Sequence, residues 1–385
     1  MDNFIFKNPV KILFGRGQTS LIAKEIPKNS KIMMTCGGGS IRKNGVYDEV
    51  VAALKGFDFI EFWGIEPNPT YETLMKAVEK ARAEKIDFLL AVGGGSVADG
   101  TKFIAAAIPY SGHPWDILLR KDKPPTSAVP LACVLTLPAT GSEMNRAAVI
   151  SRTETKEKLA FHSDLVFPIF SVLDPQHTFS LPAVQVANGI VDTFIHVTEQ
   201  YLTFPVNAAI QDRFAESILC TLIDEGPKTL ANPTDYDSRA NLVWAATMGL
   251  NGLIACGVPG DWCTHDLGHE LTAFFGLDHA QTLAIILPNL LWVQRDSKRG
   301  KLIQYAQRVW NIPDGNEEKM IEEAISKTRS FFENLGLPTH LSKLGVTEDI
   351  SETVVDRFRA RNKFPMGESK NLTPDRVKEI FKLAK

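Results

Sequence analysis

Short apolar runs alternate with helical segments along the first half of the chain. The runs at 31–35 and 88–92 are rich in apolar side chains and too brief for a helix, so they predict buried strands. Each run leads into the same four residues, Gly-Gly-Gly-Ser, at 37–40 and at 93–96. Segment 71–86 precedes the second run and carries its apolar residues on one helical face. This alternation predicts a parallel sheet covered by helices.

The periodicity changes near residue 180. Before that point, segments 129–136 and 170–173 predict two further buried strands. Beyond it, the spacing of apolar residues becomes helical. The predicted helices are 183–202, 206–223, 236–254, 262–275 and 317–335. We therefore predict an α/β domain at 1–180 and an all-α domain at 181–385. Residues 343–385 carry no recognisable motif, and we interpret them as solvated helices and loops.

The composition is that of a folded globular protein. The 385 residues are 44% hydrophobic and 23% charged, which excludes a disordered or fibrous chain. Lys and Arg number 42 against 45 for Asp and Glu, and the net charge of −3 provides no basic surplus for binding nucleic acid. We therefore expect a small-molecule partner and no nucleic acid.

Cysteine usage and the N-terminus indicate the compartment. The five cysteines are sparse and never spaced as Cys-x-x-Cys, which favours a reducing environment. The N-terminus lacks the apolar stretch of about 7 to 15 residues that a signal peptide needs. The apolar stretch 282–293 falls short of the ~20 residues that span a bilayer. These features predict a cytoplasmic protein without a membrane partner.

Both glycine runs follow a predicted strand and precede a helical segment. Glycines let the backbone approach a phosphate closely, and a helix N-terminus offers N–H groups and a partial positive charge. A single run would equally well form a tight, flexible turn, but two runs at matched positions favour phosphate binding. Neither run matches Gly-x-Gly-x-x-Gly or the Walker pattern, so an ordinary Rossmann fingerprint or P-loop is excluded.

Histidines and one aspartate recur in the helical half. Asp192 and His196 stand four residues apart, as do His265 and His269, so each pair shares a helix face. His279 follows closely. Imidazole and carboxylate ligands suit Fe²⁺ or Zn²⁺, and three histidines with one aspartate leave a position for a substrate oxygen. Any one of these histidines alone is more often a satisfied core residue, but the five residues together favour a metal site.

These motifs resemble those of the iron-containing (group III) alcohol dehydrogenases, in particular the branch of NADPH-dependent aldehyde reductases and butanol dehydrogenases. The resemblance spans nearly the whole chain. It rests on residues 8–9, 14–17, 93–102 and 140–143, on Asp192-x-x-x-His196, and on His265-x-x-x-His269 followed by His279.

The resemblance implies an α/β dinucleotide-binding domain and an all-α C-terminal domain, an architecture like that of dehydroquinate synthase, with the active site in the cleft between them. It implies a homodimer that transfers hydride between NADP(H) and a primary alcohol or aldehyde, mainly reducing the aldehyde. The implied ligands of Fe²⁺ or Zn²⁺ are Asp192, His196, His265 and His279, and the implied catalytic residue is His269, which relays a proton or lines the pocket. The implied cofactor-binding residues are Gly37, Gly38, Gly39, Ser40, Lys43, Gly93, Gly94, Gly95, Ser96, Asp99, Thr136, Thr140, Ser142, Asn145 and Lys158.

The first glycine run favours NADPH over NADH. An NAD-selective site usually places a carboxylate at a strand end, where it would repel a 2′-phosphate. Here no carboxylate follows Gly37 until Asp48, whereas Arg42 and Lys43 follow the turn as positive charges. For an isolated pair of cations, a solvated helix start would be the better interpretation. Their position after a turn that suits phosphate, and the resemblance, favour a role with the cofactor.

Other functions share parts of this pattern. A nucleotide-binding sensor would hold a structural metal, with every coordination position filled by protein. An NAD-linked polyol dehydrogenase would have the same fold. A lyase of the dehydroquinate synthase type would need a pocket rich in Lys and Arg, and the helices that bear the histidines have few. We expect the NADP-dependent aldehyde reductase, acting on a small aldehyde or alcohol.

Overall fold

The computed structural model describes residues 1–119 and 124–385. The chain forms two compact units. The α/β unit consists of Lys7–Pro182 and Asn232–Asn251, and the helical unit consists of Met1–Phe6, Ala183–Ala231 and Gly252–Lys385. Within these described residues, no helix combines the length and the apolar character needed to cross a membrane.

The α/β unit is built on a parallel sheet. Its strands are β1 (Lys11–Phe14), β2 (Lys31–Cys36), β3 (Asp58–Phe62), β4 (Phe88–Gly94), β5 (Leu131–Leu137) and, after a separate antiparallel hairpin of β6 (Ala147–Arg152) and β7 (Glu157–His162), β8 (Phe170–Leu173). The order across the sheet is β1-β8-β5-β4-β2-β3, and neighbouring strands pair in parallel. The β4 and β2 strands, which precede the glycine runs, are therefore neighbours.

Both faces of the sheet are buried. The helices of this part of the chain are α1 (Ile22–Glu25), α2 (Val46–Ala53), α3 (Tyr71–Ala83), α4 (Gly95–Ala107) and α5 (Asp116–Leu119). In β4, Leu89 belongs to a core cluster with residues of α3 and α4, whereas Leu90 belongs to a cluster with residues of α1 and α2. Successive side chains of a strand point to opposite faces. A strand buried on both faces has an unbroken apolar sequence, which explains the run at 88–92.

The two glycine runs lie side by side at the carboxyl ends of their strands. Cys36 of β2 is in register with Val92 of β4, so Gly37 and Gly93 come next to each other. The pairing of β4 with β5 is irregular between Gly93 and Gly94, where the register shifts. The chain turns directly from there into helix α4. One edge of the sheet therefore carries both loops that the sequence predicts to bind phosphate.

The second half of the chain is helical. Its helices are α6 (Ala183–Tyr201), α7 (Ala209–Ala231), α8 (Tyr236–Gly249), α9 (Cys263–Phe275), α10 (His279–Val293), α11 (Arg299–Arg308), α12 (Glu317–Asn334), α13 (Ser351–Ala360) and α14 (Pro374–Leu383). Helix α6 packs against α7 and α10, and α10 also packs against α9. Every residue of α6 from Val186 to Tyr201 is buried. A helix buried on all sides lies in the core, so α6 is the central element of the helical unit.

The predicted fold class, an α/β part followed by a helical part, is confirmed. The predicted strands correspond to β2, β4, β5 and β8, whereas β1, β3 and the β6–β7 hairpin were not predicted. The domain division near residue 180 stays a prediction. The compact units change between Pro182 and Ala183, but α8 lies with the α/β unit and Met1–Phe6 lies with the helical unit.

The interpretation of 343–385 as solvated is wrong for its two helices. Helix α13 buries Val354 and Phe358, and α14 buries Val377 and Ile380. Helix α14 packs against α10, which brings apolar side chains of the C-terminal segment into the core of the helical unit. Sequence reasoning missed this because both helices are short and strongly charged on their other faces.

Candidate functional site

Asp192 of helix α6 lies at the centre of a cluster that it forms with His196, His265 and His279. Its side chain is 5% exposed. Its Oδ1 atom lies 3.6 Å from His196 Nδ1, 3.8 Å from His265 Nε2 and 3.6 Å from His279 Nε2. His196 comes from the same helix, because residues four apart share one helix face. The buried carboxylate is therefore surrounded by three imidazole rings.

Helices α9 and α10 supply the other two histidines. His265 lies in the first turn of α9, and His279 is the first residue of α10. Ligand atoms of Asp192, His265 and His279 all lie within 4.8 Å of one another. The His196 ring stacks on the His265 ring, with centroids 4.6 Å apart. The structure thus brings the four predicted metal ligands to one place in the helical unit.

Two aromatic side chains flank this cluster. The ring of His269, one turn beyond His265 on α9, is centred 6.0 Å from the His265 ring and 5.3 Å from the His279 ring. Trp262, just before α9, packs edge-on against the rings of His196 and His265 and stays 39% exposed. Both side chains lie beside the cluster and are partly exposed. Trp262 was not predicted, since nothing in its sequence context links it to the histidines.

A neighbouring face of helix α9 is held by ion pairs. Asp266 pairs with Lys363 at 2.6 Å, and Glu270 pairs with Arg357 at 3.0 Å and with Arg361 at 2.9 Å. These acids follow His265 and His269 by one residue each, so they lie on a neighbouring helix face. Helix α9 is therefore fixed along its length while its histidines point to the cluster.

Burial and nearby charge shift the pKa values of His196 and His265 in opposite directions. Burial lowers the pKa of His196 to about 4, although the Asp192 carboxylate acts against this shift. Burial also disfavours a charge on His265, but the carboxylates of Glu199 and Asp192 outweigh it and raise the pKa of His265 to about 9. An imidazole binds a metal through an unprotonated nitrogen, so binding of an ion at His265 would release a proton.

The cluster fits a divalent transition metal. The Nδ1 atom of His196 and the Nε2 atom of His265 are buried and make no hydrogen bond to any residue that the structure describes. Buried polar atoms are usually paired, so these two nitrogens point to a ligand. An ion with N and O ligands at about 2.0–2.2 Å holds tetrahedral neighbours roughly 3.3–3.6 Å apart, close to the 3.6–3.8 Å separations from Asp192. The donor set suits Fe²⁺ or Zn²⁺.

A buried carboxylate beside the cluster was missed by sequence reasoning. Glu199 follows Asp192 by seven residues on α6, and its side chain contacts His265 Nδ1. The spacing of seven places it on the same helix face as Asp192, so the signal was present. Asn188, one turn before Asp192, donates a hydrogen bond at 3.3 Å to Asp278, which directly precedes His279. These contacts tie α6 to the starts of α9 and α10.

The first glycine run forms an open loop on the α/β unit. Residues 37–39 follow β2, and Ser40 begins a short 3₁₀ helix. Gly38, Ser40 and Lys43 are exposed. Apart from Gly38 and its two chain neighbours, no heavy atom of the described chain lies within 4 Å of the position that a Cβ on Gly38 would take. This loop has room for a ligand and presents a hydroxyl and an ammonium group.

Arg42, beside this loop, is already engaged by the protein. Its guanidinium pairs with Glu61 at 3.3 Å and lies over the rings of Trp63 and Tyr47, 4.3 and 4.9 Å from their centroids. Glu61 belongs to β3, the strand that pairs with β2. A carboxylate thus lies near the turn after all, supplied by the neighbouring strand rather than by the following residues.

The second glycine run is tightly packed where helix α4 begins. A Cβ on Gly95 would collide with the side chain of Thr140. The N-cap residue of α4 is Gly94, and among the described residues no side chain caps it. The N–H groups of Gly95 and Ser96 at this helix start are therefore suited to an anion. Thr136, buried in β5, is the remaining predicted residue at this edge of the sheet.

Asp99 and Lys102 of α4 belong to a buried polar network. Asp99 accepts hydrogen bonds from Ser142 Oγ at 2.6 Å and from the Val149 backbone N–H at 2.9 Å, and Lys102 donates to Asn145 Oδ1 at 2.9 Å. Burial raises the pKa of Asp99, with the Lys102 charge acting against it, and burial lowers the pKa of Lys102 to about 8. Three predicted cofactor residues, Asp99, Ser142 and Asn145, therefore also take part in bonds that tie α4 to the segment following β5.

Lys158 lies on the β6–β7 hairpin. Its Nζ donates a hydrogen bond at 2.8 Å to Asn68, in the segment that follows β3. All the predicted cofactor residues lie on the α/β unit, and all the predicted metal ligands lie on the helical unit. The contacts that either set makes with a bound molecule stay predictions.

Comparison with known proteins identifies the family. The model of the iron-containing alcohol dehydrogenases matches residues 9–175, and the model of the C-terminal part of the Fe-containing alcohol dehydrogenase family matches residues 186–385. The chain belongs to the iron-containing alcohol dehydrogenase family. The resemblance noted from the motifs, and with it the class of metal-dependent oxidoreductases, is confirmed.

Individual relatives show which members of the family this chain is similar to. The chain is 56% identical to the NADPH-dependent aldehyde reductase YqhD of Escherichia coli K12, over 100% of both chains. It is 40% identical to the probable NADH-dependent butanol dehydrogenase 1 of Bacillus subtilis, over 99% of each chain. A crystal structure of E. coli YqhD superposes with a TM-score of 0.98 at 55% identity, covering 100% of this chain and 99% of that one. The NADH-dependent butanol dehydrogenase A of Thermotoga maritima superposes with a TM-score of 0.95 at 36% identity, with coverages of 100% and 99%.

The geometry generates a prediction for the metal ligands. Replacing His279 with Ala removes one of four donors, so we expect the affinity for Zn²⁺ to fall by more than the 10- to 100-fold typical of changes to groups behind the ligands. The measurement is competition with a chromophoric chelator. His340→Ala, a change to a histidine of the same unit far along the chain, serves as the control and should bind Zn²⁺ like the wild type. Wild-type affinity in His279→Ala would remove His279 from the ligand set.

Proposed function

We propose that this protein is an NADPH-dependent aldehyde reductase that requires Fe²⁺ or Zn²⁺. The observation that carries the proposal is the similarity to E. coli YqhD, an NADPH-dependent aldehyde reductase, at 56% identity over the full chain. The predicted ligand residues are gathered at one buried carboxylate, which supports a metal-dependent reaction. The substrate class is a small aldehyde, with the primary alcohol as product.

The residues of the cluster have two proposed roles, binding the ion and contacting the substrate. Asp192 and the imidazoles of His196, His265 and His279 would hold the ion. When bound, a divalent metal supplies a Lewis acid that stabilises negative charge on a substrate oxygen by several kcal/mol, and NADPH supplies the hydride. His269 is half-buried, with its ring centred 5.3 Å from that of His279, which supports a role in contacting the substrate and delivering a proton to its oxygen.

Exposure at the cluster supports a catalytic rather than a structural metal. A structural site is closed by protein on every side, whereas a catalytic site keeps one position open. Asp192 and His196 are buried, but the His279 side chain is 23% exposed, and Trp262 next to the cluster is 39% exposed. The cluster can therefore be reached from solvent. This accessibility disfavours the alternative of a nucleotide-binding sensor with a structural ion.

The first glycine loop supports NADPH as the preferred cofactor. Ser40 and Lys43 are exposed, and the loop backbone offers N–H groups at 37–39. A hydrogen bond to a charged group contributes about 1.5–3 kcal/mol, so two or three such contacts to a 2′-phosphate would favour NADPH by roughly a hundredfold or more. Relatives named as NADH-dependent lie within the same family, so this preference belongs to individual residues and not to the fold.

The proposal has three further parts: the oligomeric state, the cellular location and the identity of the ion. We propose a homodimer and a cytoplasmic location, supported by the family resemblance and by the sparse, unpaired cysteines. The choice between Fe²⁺ and Zn²⁺ is open to the same donor set, because imidazole and carboxylate bind both ions. Metal analysis of the protein purified without added metal decides which ion is loaded.

Turnover tests the proposed function directly. We expect the protein loaded with Fe²⁺ or Zn²⁺ to oxidise NADPH when a short-chain aldehyde is added. The loss of absorbance at 340 nm measures this oxidation. Protein stripped of metal should not react until the ion is returned. A sensor would bind NADPH without oxidising it, and a polyol dehydrogenase would act on a polyol with NAD⁺ in preference to the aldehyde. Either result would reject the aldehyde reductase.

Cofactor preference can be shifted at Gly38. Its Cβ position is open, so an introduced Asp fits and would repel a 2′-phosphate while accepting hydrogen bonds from a ribose 2′-hydroxyl. We expect Gly38→Asp to lower kcat/KM for NADPH at least tenfold and to move the ratio toward NADH. Gly315→Asp places the same charge at another open glycine and should leave the ratio unchanged. Equal use of both cofactors by the wild type would contradict the proposed preference.

His269 is expected to act on the substrate and not to hold the metal. His269→Ala should keep wild-type affinity for Zn²⁺ and lower kcat by about 10²-fold or more, because positioned proton transfer contributes about 10² to 10⁴. Added imidazole should restore part of kcat if the ring carries the proton. A rise in KM with unchanged kcat and no rescue would assign His269 to lining the pocket. Loss of metal in this variant would contradict its place outside the ligand set.

A further inference from the structure

The Glu199 carboxylate is buried among three N–H donors. It lies on helix α6 and is 3% exposed. Its Oε1 accepts hydrogen bonds from the backbone N–H groups of Thr264, at 2.6 Å, and of His265, at 3.2 Å. Its Oε2 accepts a hydrogen bond from His265 Nδ1–H. One side chain of α6 thus binds both the backbone and the imidazole of a residue 66 positions away.

Two of these donors belong to the start of helix α9. The first N–H groups of a helix have no partner within it and carry a partial positive charge. Trp262, the N-cap residue of α9, provides no side-chain hydrogen bond in the described chain. The Glu199 carboxylate provides the missing acceptor from the neighbouring helix. It therefore fixes where α9, which carries His265 and His269, begins relative to α6.

The third donor fixes the orientation of a metal ligand. An imidazole whose Nδ1–H donates to a carboxylate keeps its proton there and leaves Nε2 to bind an ion. The Nε2 atom of His265 is the nitrogen that lies 3.8 Å from Asp192 Oδ1. We propose that Glu199 is a positioning residue of the metal centre, which holds the His265 ring with Nε2 toward Asp192 and sets helix α9 against α6. This inference rests on the proposed metal-dependent function.

A buried cation network continues behind Glu199. The Asp261 backbone N–H donates to the Glu199 backbone carbonyl at 2.9 Å. Lys298 pairs with Asp261 at 2.7 Å and with Glu368 at 2.9 Å, and it also donates to the Leu202 carbonyl at 2.7 Å. Glu199, Asp261 and Lys298 line one small cavity. The backbone of Glu199 is thus bonded to the segment that carries the Lys298 network, whereas its carboxylate is bonded to α9.

Glutamine is the informative replacement for Glu199. It has almost the same shape, but it offers one acceptor oxygen and one NH₂ donor in place of two acceptor oxygens. If the oxygen faces the backbone of α9, the NH₂ group meets His265 Nδ1 and favours a proton on Nε2, the nitrogen needed for the ion. If the oxygen faces the ring, the NH₂ group meets two backbone donors. Either arrangement impairs one of the two proposed functions of the carboxylate.

The test measures metal affinity on the full chain without NADPH or aldehyde. We expect Glu199→Gln to weaken Zn²⁺ binding by about 10- to 100-fold in a chelator competition, the range typical for partners of ligand histidines. The matched control is Glu216→Gln, which removes the charge of another buried carboxylate of the helical unit, bonded to Tyr201, Gln304 and Arg308. The control should lower the melting temperature without changing the affinity for Zn²⁺.

Two results would overturn the inference. One is a folded Glu199→Gln protein, with the wild-type circular dichroism spectrum, that binds Zn²⁺ within twofold of the wild type. The other is an equal loss of affinity in Glu216→Gln, which would mean that any buried lesion in this unit weakens the site. The proposed function fails separately, because then the wild type itself would bind no Zn²⁺ or would not oxidise NADPH.

Glu199→Asp covers the case in which the glutamine variant does not fold. Aspartate keeps the charge, but its side chain is one methylene shorter and cannot reach the α9 backbone and His265 Nδ1 together. We expect a folded protein with Zn²⁺ affinity reduced about tenfold, because the helix start keeps its acceptor while the ring loses its own. Wild-type affinity in Glu199→Asp would show that the contact with the ring does not matter for metal binding.

Discussion

Three helices of the helical unit meet at one buried side chain, the carboxylate of Asp192 on α6. Taking a carboxylate out of water costs several kcal/mol unless it is paired, and here imidazoles from α6, α9 and α10 lie 3.6–3.8 Å from one of its oxygens. Each of the three helices must therefore be placed to within a fraction of an ångström for the cluster to exist. A metal ion would satisfy the same requirement by contacting several of these donors at once.

This constraint explains why so much charge lies around the cluster. Helix α9 is held on one face by the ion pairs of Asp266 and Glu270 with the α13 region, and at its start by Glu199. Groups that hold ligands in place reduce the rearrangement needed when an ion binds, and this raises affinity. The buried Lys298, paired with two carboxylates, extends the fixed region behind the site. Rigidity of the ligand helices is thus achieved with polar contacts in a mostly apolar core.

Much of the fold could be predicted because its signals are local. The strands β2 and β4 are short apolar runs that end in glycine, and α6 carries Asp192 and His196 at helical spacing. The β6–β7 hairpin could not be predicted, since its strands mix charged and apolar residues and one of them, at 157–162, is only partly buried. Helix α8 has helical periodicity like its neighbours, yet it lies with the α/β unit, and no local pattern encodes such a placement. The predicted ligands were recognisable from spacing together with the family resemblance. Glu199 shares a helix face with Asp192, but its contact with His265, like the position of Trp262, is made only in the folded chain.

The charge around the first glycine loop also could not be predicted from the order of residues along the chain. In chain order no carboxylate follows the loop until Asp48, but parallel pairing sets β3 beside β2, with Glu61 in register with Met34. Burial alone would raise the pKa of Glu61, yet hydrogen bonds from Tyr47 and Trp63 and the charge of Arg42 hold it below its usual range. This carboxylate is therefore ionised, and its charge is balanced by Arg42 and by two neutral donors. A 2′-phosphate bound at this loop would therefore meet less repulsion from the Glu61 carboxylate. Lys43 and Ser40 remain exposed on the loop. The charge next to the glycine loop thus depends on a pairing between two strands, which no residue of the glycine motif reveals.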